Sequence, residues 1–332
     1  MSAPSISVVV PTCDPGARLE PLVASLERQT TPFELVLVDN GVPAPGVGWV
    51  RERLERVTLV RFDENAGYSR GVNAGARRAD GDVLVLLNDD CTCEPGFIAA
   101  LAGAVDPGAS TVMAAGVLRD RYAPELVDTA GMELDPTLLV FDYLNGQPVA
   151  AVNASTPAPL GPSAAAAAFD RATFLAVGGF DERIFAYWED VDLVLRLRRE
   201  GGRCALAYEA VGVHHHSATL GAGSRAKNRL MGFGRGYVLR KWGVARPRRL
   251  PAIVARDGMI CLGQALVDRN LSGVGGRLAG YRAAAQSYPY PADLLEPAGG
   301  PGLVGELGRR LRRRARLRKR ALAAVDVGEP VG

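Results

Sequence analysis

The chain has 332 residues, 48% of them hydrophobic and 23% charged, and a formal net charge of +3. It is therefore long enough to bury a full core, as one large α/β domain or as one domain with an appendage. Five scattered cysteines are unlike a disulfide framework, so we expect reduced thiols.

Apolar runs in this sequence are much shorter than the ~20 residues that a membrane helix needs. The N-terminus also lacks the basic start and apolar run of a signal peptide. We therefore expect a globular cytoplasmic protein that does not span a bilayer.

Strand-like and helix-like stretches alternate through residue 120. Strands are predicted at residues 6–10, 34–38, 57–62 and 83–87, and helical pieces at 17–29, 50–54 and 70–78. This order is the βαβ pattern of a doubly wound, mainly parallel sheet flanked by helices, and the continuous apolar strands fit burial on both faces. Ligands of such sheets bind at the carboxyl ends of the strands.

Polar and acidic residues gather after three of these strands, at positions 11–14, 39–41 and 88–90. Each group alone has an ordinary structural interpretation, as a turn or a helix cap. Together they favour a binding site, because the adjacent carboxylates of Asp89 and Asp90 repel each other unless a cation lies beside them. A divalent metal with oxygen ligands is the natural candidate.

Residues 65–75 form a second pattern, rich in small residues and opening a helix. Its glycines would let the backbone approach a ligand, and a helix N-terminus near Arg70 would suit a phosphate. Packing of the helix against its neighbours is the alternative.

A third pattern is Gly178 to Glu182 followed by a predicted helix that begins near Glu189 and ends at Gly201. Glu189, Asp190 and Asp192 fall in its first turn, where acids stabilise a helix in their own right. Aromatic residues at 187 and 188 precede them, an arrangement that suits a pocket in which a ring stacks on a sugar and a carboxylate takes a proton.

The chain's three histidines are consecutive, at positions 214–216. In an extended segment His214 and His216 would face one way and His215 the other. Three histidines after an acidic cluster favour contact with a metal or a phosphate, whereas a single one is usually structural.

The C-terminal part departs from this pattern. We expect a main domain over 1–245, a helical appendage over 246–287, and a Pro/Gly-rich linker with an Arg-rich tail over 288–332. Nine of the twelve residues from 309 to 320 are Arg or Lys. The run predicts contact with a polyanion, with an anionic membrane surface favoured over nucleic acid, and a disordered solubilising tail is the alternative.

Taken in order, these motifs resemble the family 2 glycosyltransferases of GT-A fold, particularly bacterial rhamnosyltransferase-like members. The matching stretches are 8–12, 36–40, 65–68 with Asn73, 86–90, 178–182, 189–193 with Arg196, and the histidine run. They cover roughly residues 5 to 242. The Q-x-x-R-W motif of processive synthases is absent, so we expect one sugar, or a few, to be added per acceptor.

The resemblance implies roles for individual residues. The donor nucleotide would be held by Pro11, Thr12, Asp39, Asn65, Gly67, Arg70, Asn73, Asn88 and Asp89, with Thr12 and Asp39 at the base and ribose. Asp90 would bind a divalent metal, Mn²⁺ or Mg²⁺, with His214 or His216 as a further ligand. Asn88 stands where the first Asp of the D-x-D-like motif often lies, which would weaken the metal site.

On the acceptor side, Asp190 matches the catalytic base, with Glu189 and Asp192 supporting it or positioning the acceptor. The implied reaction inverts configuration at the anomeric carbon of a dTDP- or UDP-linked sugar. The implied acceptor is a hydroxyl of a cell-surface glycan or a lipid-linked precursor, reached from the inner face of the membrane.

Two other functions use parts of the same pattern. A sugar-nucleotide nucleotidyltransferase also has a nucleotide-binding sheet and acidic metal ligands, but usually a glycine-rich basic loop after its first strand, where this chain has Pro11-Thr12-Cys13. A carbohydrate-binding protein without catalysis would keep the aromatic pocket but would not need carboxylates on both the donor and acceptor sides.

Overall fold

A computed structural model describes residues 4–13, 18–42, 46–214, 221 and 223–295. Asp14, His215, His216 and the basic run at 309–320 lie outside these residues. Within the described part, the main sheet has nine strands in the order β3-β2-β1-β4-β10-β6-β11-β5, with β7 paired to β6.

The strands have the following bounds: β1 Ile6–Thr12, β2 Glu34–Asn40, β3 Val57–Phe62, β4 Val83–Leu87, β5 Cys91–Cys93, β6 Thr111–Asp120, β7 Ala123–Thr129, β8 Met132–Leu134, β9 Val140–Asp142, β10 Ala166–Asp170 and β11 Arg203–His214. Strands β1 to β4 pair in parallel, whereas β10 is antiparallel to both β4 and β6. Strands β8 and β9 form a separate hairpin.

The helices are α1 Leu19–Leu26, α2 Tyr68–Arg78, α3 Phe97–Gly103, α4 Arg171–Ala176, α5 Glu189–Arg199, α6 Arg225–Lys241, α7 Leu250–Gly263 and α8 Ser272–Ala283. A π-helical turn, Gln264–Asp268, continues α7. The predicted alternation of strands and helices up to β4 is confirmed, and the expected helical piece near residue 50 is a 3₁₀ turn, Gly48–Glu52.

The central strands form as the sequence predicts because their side chains are apolar on both faces. Every residue of β1, β2 and β4 is buried, and separate apolar clusters lie on the two sides of the sheet. This burial fits a sheet covered on both faces. Because β1 pairs in parallel with both β2 and β4, the polar residues that follow these strands lie at the same edge.

The C-terminal helices pack onto this domain. Ile253 of α7 and Ala284 after α8 belong to the apolar cluster on one side of the sheet. Glycines bring α8 and α6 very close together, since a Cβ on Gly280 would lie 1.9 Å from the carbonyl oxygen of Phe233.

The described part of the chain contains one long apolar helix that the sequence analysis did not single out. The helix Leu250–Asp268 has 19 residues and a mean hydropathy of 1.4, so its length and composition would allow it to cross a bilayer. Isolated charges and glycines break its sequence into short apolar runs, which is why run length alone missed it. A single such helix is weak evidence for a membrane protein.

A buried ionic network fixes α5 against α6. Asp192 is fully buried, and its carboxylate accepts bonds from Arg196, Lys241 and Trp242 at 2.9, 2.8 and 3.0 Å. Lys241 also donates to Asp181, at 2.8 Å. Arg196 donates further to the carbonyl of Gly179, so that one cluster joins α5, α6 and the loop before α5.

Replacing Lys241 by Met should destabilise the fold strongly, because it removes the cation between the buried carboxylate of Asp192 and the partly buried one of Asp181. We expect a loss of about 3–5 kcal/mol in the free energy of unfolding, measured by urea denaturation. The control is Arg53→Met, which breaks bonds to Glu20 and Glu27 at the surface and should change stability far less. Equal effects of the two substitutions would contradict the structural importance of the network.

Candidate active site

A cavity of about 380 Å³ opens at the carboxyl edge of the parallel strands. It lies where β1 and β4 end, next to the start of α5 and the first turns of α6. Among the residues that the sequence singles out, it is lined by Pro11, Thr12, Asn65, Asn88, Asp89, Asp90, Glu189, Asp190 and His214. Residues separated by up to two hundred positions in the chain therefore meet in one cavity.

The ends of β1 and β4 are tied together inside this cavity. The hydroxyl of Thr12 donates to Asp89 at 2.6 Å, which holds one of the two adjacent carboxylates toward β1. Asn65 and Asn40 also line the cavity, and the Asn40 amide donates to Asn65 at 3.2 Å. This polar edge offers hydrogen-bonding groups of the kind that a nucleoside requires.

The second carboxylate, that of Asp90, meets a histidine from the far end of the sheet. His214 is the last residue of β11, and its Nε2 lies 3.2 Å from Oδ1 of Asp90. On its other side, Nδ1 of His214 lies 3.6 Å from Asp128 of β7. Burial lowers the pKa of His214, but the bonds with Asp128 and Asp90 outweigh burial and raise it to about 9.

The donor atoms of this cluster fit a divalent metal. One ligand atom each from Asp90, Cys91 and His214 lies within 4.8 Å of the others. Within the described residues, Oδ1 of Asn88 is buried and accepts no hydrogen bond, so this amide can still supply an oxygen where the family often has Asp. Cys91 fits less well, since burial raises the pKa of its thiol and its Sγ faces the carbonyl of Ala165.

The acidic pair Glu189–Asp190 begins α5 directly after two strained residues. Tyr187 and Trp188 have φ angles of +68° and +78°, a left-handed conformation that bulky side chains rarely adopt. Such residues cost about 1–3 kcal/mol each and persist only where the surroundings enforce them. The turn they make brings both carboxyl groups into the cavity lining.

The two carboxyl groups of this pair have different surroundings. Asp190 accepts bonds from the backbone amides of Val191 and Ala164, at 2.8 and 3.5 Å. Glu189 is more buried, and within the described part of the chain its Oε2 has no hydrogen-bond partner. Burial raises the pKa of Asp190, and burial together with the Asp190 charge raises the pKa of Glu189 well above its usual range.

The lining includes residues that sequence reasoning did not single out. Lys227 of α6 lies 5.5 Å from the ring of Tyr187, and Met231 lies one turn further along the same helix. Tyr68 donates to the carbonyl of Ala164 at 3.0 Å. Sequence reasoning also missed Asp128, which lies behind His214 and outside the lining. It is a buried acid in β7, and an acid within a predicted strand was the one local signal for it.

The start of α2, where we expect a phosphate, is covered by another part of the chain, and its contact with a phosphate stays a prediction. The N-terminus of this helix is covered by the chain at Phe185, whose carbonyl accepts a bond from the amide of Tyr68 at 2.7 Å. Gly67 has a φ of +90°, and a Cβ there would lie 2.7 Å from that same carbonyl oxygen. Arg70 is exposed and lies over the ring of Phe62. The glycine therefore allows the backbone of another loop, not a ligand, to come close.

Two further motif residues serve the structure instead of lining the cavity. Asn73 is buried and exchanges bonds of 2.9 and 2.8 Å with the backbone of Phe180, which joins α2 to the loop before α5. Asp192 lies in the buried network with Lys241, where it is placed to support Asp190, and its role beside the acceptor stays a prediction.

Asp39 lies at the same edge of the sheet as the cavity but not in its lining. It ends β2 at the same edge, but its carboxylate is bound by Arg61 and by the amide of Val42, and the described cavity does not include it. Its assignment to the nucleotide stays a prediction, and so does that of His216, which lies outside the described residues.

Comparison with known proteins places this chain in a family. Residues 7–128 match the family model for glycosyl transferase family 2. The chain is 30% identical over 235 residues to the O-antigen biosynthesis protein RfbC of Myxococcus xanthus, covering 65% of this chain but only 18% of that protein. It is also 30% identical over 247 residues to N-acetylglucosaminyl-diphospho-decaprenol L-rhamnosyltransferase of Mycobacterium tuberculosis, covering 65% of this chain and 78% of that protein.

Solved structures share the fold at lower identity. A crystal structure of GalNAc-T7 with UDP, GalNAc and Mn²⁺ matches with a TM-score of 0.59 and 15% identity, covering 85% of this chain and 55% of that one. The mannosyltransferase PcManGT from Pyrobaculum calidifontis, in complex with GDP-Man and Mn²⁺, matches with a TM-score of 0.51 and 20% identity, covering 86% and 77%. The protein therefore belongs to glycosyltransferase family 2, and it is a rhamnosyltransferase-like glycosyltransferase of GT-A fold.

Proposed function

We propose that this enzyme transfers a single sugar, or a few, from a dTDP- or UDP-linked donor to an acceptor hydroxyl, with inversion at the anomeric carbon. The observation that carries the proposal is that one cavity holds both the Asp90–His214 cluster and the Glu189–Asp190 pair. The first suits a diphosphate with its metal, and the second suits a hydroxyl that must lose a proton. A protein that only binds sugars would not need both.

The donor half of the cavity would bind the nucleotide along the ends of β1 and β4. Pro11, Thr12 and Asn65 offer a surface with polar groups for the base and ribose. Lys227 lies in the same lining and adds a cation suited to a diphosphate.

A divalent metal would be held by Asp90 and His214, with Asn88 as a further oxygen donor. When bound, such an ion neutralises negative charge on a departing diphosphate. Asp128 would orient the imidazole of His214, as carboxylates behind metal-binding histidines commonly do. The carboxylate and amide oxygens suit either Mn²⁺ or Mg²⁺, whereas the imidazole favours Mn²⁺, because Mg²⁺ prefers oxygen ligands.

On the acceptor side, Asp190 would take the proton of the attacking hydroxyl. Its pKa is raised by burial, which makes it a stronger base than an exposed Asp. The hydroxyl would attack from the face opposite the leaving diphosphate, which inverts the configuration. Burial and the charge of Asp190 raise the pKa of Glu189, which favours its protonated form and a single negative charge at this point.

The names of two relatives indicate a class of acceptor. The mycobacterial relative is named for a lipid-linked diphosphate acceptor and the myxobacterial one for O-antigen biosynthesis. We propose an acceptor of the same class, a cell-surface glycan or a lipid-linked precursor, reached at the inner face of the membrane. Contact between the Arg-rich segment 309–320 and anionic lipid would serve that location.

A panel experiment tests the reaction. The protein is incubated with UDP-, dTDP- and GDP-sugars, Mn²⁺ or Mg²⁺ and an acceptor extract, and released nucleotide is detected by mass spectrometry. We expect release of the nucleoside diphosphate from one donor. Release of a nucleoside monophosphate would indicate cleavage between the two phosphates of the donor instead of sugar transfer. No release across the panel would favour a binding protein.

Substitutions in the acidic pair should have unequal effects. Asp190→Asn removes the base and should lower kcat by about 10²- to 10⁴-fold while leaving donor binding close to wild type. Glu189→Gln is the matched control, because it replaces a carboxyl group that we expect to be neutral with a neutral amide of the same shape. Rates from released nucleotide and donor affinities from calorimetry would measure both. An equal loss of activity in the two variants would reject the assignment of the base to Asp190.

The pH dependence should show the raised pKa of the pair. The base acts only when ionised, so activity should be present above its pKa and fall as the pH drops through it. Since burial raises the pKa of Asp190 above the ordinary value of 3.8, the acid limb of kcat/KM should lie above that value. An acid limb at or below it would contradict a buried base.

The contact behind the metal site gives a separate test. Asp128→Asn keeps the shape of the side chain but removes the charge beside Nδ1 of His214, and it should weaken Mn²⁺ binding by about 10- to 100-fold. Titration of Mn²⁺ into the protein, followed by electron paramagnetic resonance, measures this without turnover. Asp142→Asn, at another carboxylate of the cavity lining, is the control and should leave the affinity near wild type. Equal affinities in Asp128→Asn and wild type would contradict the role given to Asp128.

A further inference from the structure

The C-terminal helices expose large apolar side chains over a continuous stretch of chain. In α7 and its π-helical continuation, Leu250, Val254, Leu262 and Leu266 follow one another at multiples of four residues and are 48–72% exposed. Soluble helices normally turn such a stripe toward the core. The apolar face, as we call it, comprises Leu250, Val254, Met259, Leu262, Leu266, Val267, Leu271, Val274, Leu278 and Tyr281.

The side of α7 that faces the protein carries a buried charge. Its buried residues are Ile253 and Asp257. The Asp257 carboxylate accepts bonds from Arg235 at 3.2 Å and from Arg277 at 3.1 Å. The helix is thus held to the protein by Ile253 and by ion pairs, and most of its large apolar residues face outward, the reverse of the usual arrangement in water.

The packing of α8 explains why its apolar residues also remain outside. Its contact with α6 is made by glycines at positions 232, 236, 273, 276 and 280, which bring the two backbones together. Because these residues fill the contact, Val274, Leu278 and Tyr281 are left on the outer side. Close packing through small residues, with larger apolar side chains facing outward, is common among helices that lie against lipid.

Charges around the apolar face have a single sign. Between residues 246 and 287, the exposed charged side chains are Arg246, Arg248, Arg269 and Arg282, and the two acids of this segment, Asp257 and Asp268, are not among them. Arginines bordering an apolar helix surface suit anionic lipid headgroups.

We propose that the apolar face docks onto an anionic lipid bilayer and lies in its interfacial region. A second copy of this chain fits less well, because a two-fold contact would pair the patch with itself and bring its arginines against one another. The helix Leu250–Asp268 lies on the bilayer and does not cross it, since Asp257 fastens its inner side to α6 and α8.

Docking in this way sets the orientation of the cavity, a consequence that rests on the proposed function. Lys227 and Met231 line the cavity from α6, and Gly232, next to Met231, contacts Gly273 of α8. The cavity is therefore one helix away from the bilayer-facing surface, close enough to receive the head group of a lipid-linked acceptor.

Vesicle flotation with the full-length protein tests the docking. Vesicles of phosphatidylcholine with about 30% phosphatidylglycerol are used in about 0.5 M NaCl, because that salt screens the basic run at 309–320. Wild type should float with the vesicles. The combined variant Leu262→Gln, Leu266→Gln, Leu278→Gln should partition about tenfold less or weaker still. It lacks three apolar side chains that the proposal places in the bilayer.

Tyr122→Gln is the matched control, because Tyr122 is an equally exposed apolar residue, 52% accessible, in the turn between β6 and β7. It should float like wild type, and both variants should keep the wild-type urea midpoint. The proposal is overturned if wild type does not float, or if the triple variant floats equally well. It is also overturned if wild type is a dimer in solution, does not bind vesicles, and becomes a monomer with the triple substitution. Nucleotide release without vesicles is measured in parallel, so that a failed docking test is distinguished from a failed enzyme assignment.

Discussion

The buried carboxylate of Asp192 is the constraint on which the position of the Glu189–Asp190 pair depends. The helix that carries Glu189 and Asp190 begins with two residues in left-handed conformations, which cost about 1–3 kcal/mol each. This cost is offset close by, where Asp192 binds Arg196, Lys241 and Trp242 and fixes the first turn of α5 against α6. Without that anchor the helix could unwind its first turn and relax the strain, and the acidic pair would leave the cavity. A buried residue outside the cavity lining thus determines where the proposed base, Asp190, lies.

The residues at the ends of β1, β4 and β11 are positioned by the pairing of the strands. Strands β1 and β4 are neighbours and parallel, so Thr12 and Asp89 meet although 77 residues separate them. Strand β11 brings His214 to the same edge, where Asp90 contacts one nitrogen of the ring and Asp128 the other. These contacts hold the imidazole in one orientation before any ion binds. Strands position the proposed metal ligands and a strained helix start positions the proposed base, so the two halves of the site are positioned by different means.

The sequence predicts the strands up to β4 well, because continuous apolar runs mark buried parallel strands and the polar residues after them mark the edge. The sequence also identifies most of the polar side chains that line the cavity. It fails where the same residue types hold the structure together: Asn73 and Asp192 belong to the family pattern, but their polar atoms are used by Phe180 and Lys241. Lys227 was missed for the opposite reason, since only long-range packing brings α6 beside Tyr187. A motif indicates that a residue matters, but burial and partners decide how.

The C-terminal helices show the same limit in terms of hydropathy. Arg256 and Asp257 interrupt the apolar residues of α7, and this interruption makes the segment look like an ordinary soluble helix in the sequence. In the fold these charges are on the side turned toward the protein, where Arg256 binds Asp135 and Asp257 binds Arg235. What remains outside is apolar and bordered by arginine. Because charged residues fasten the helix to the enzyme, its apolar residues are free to face something other than water, and an anionic bilayer satisfies both the apolar surface and its arginine border.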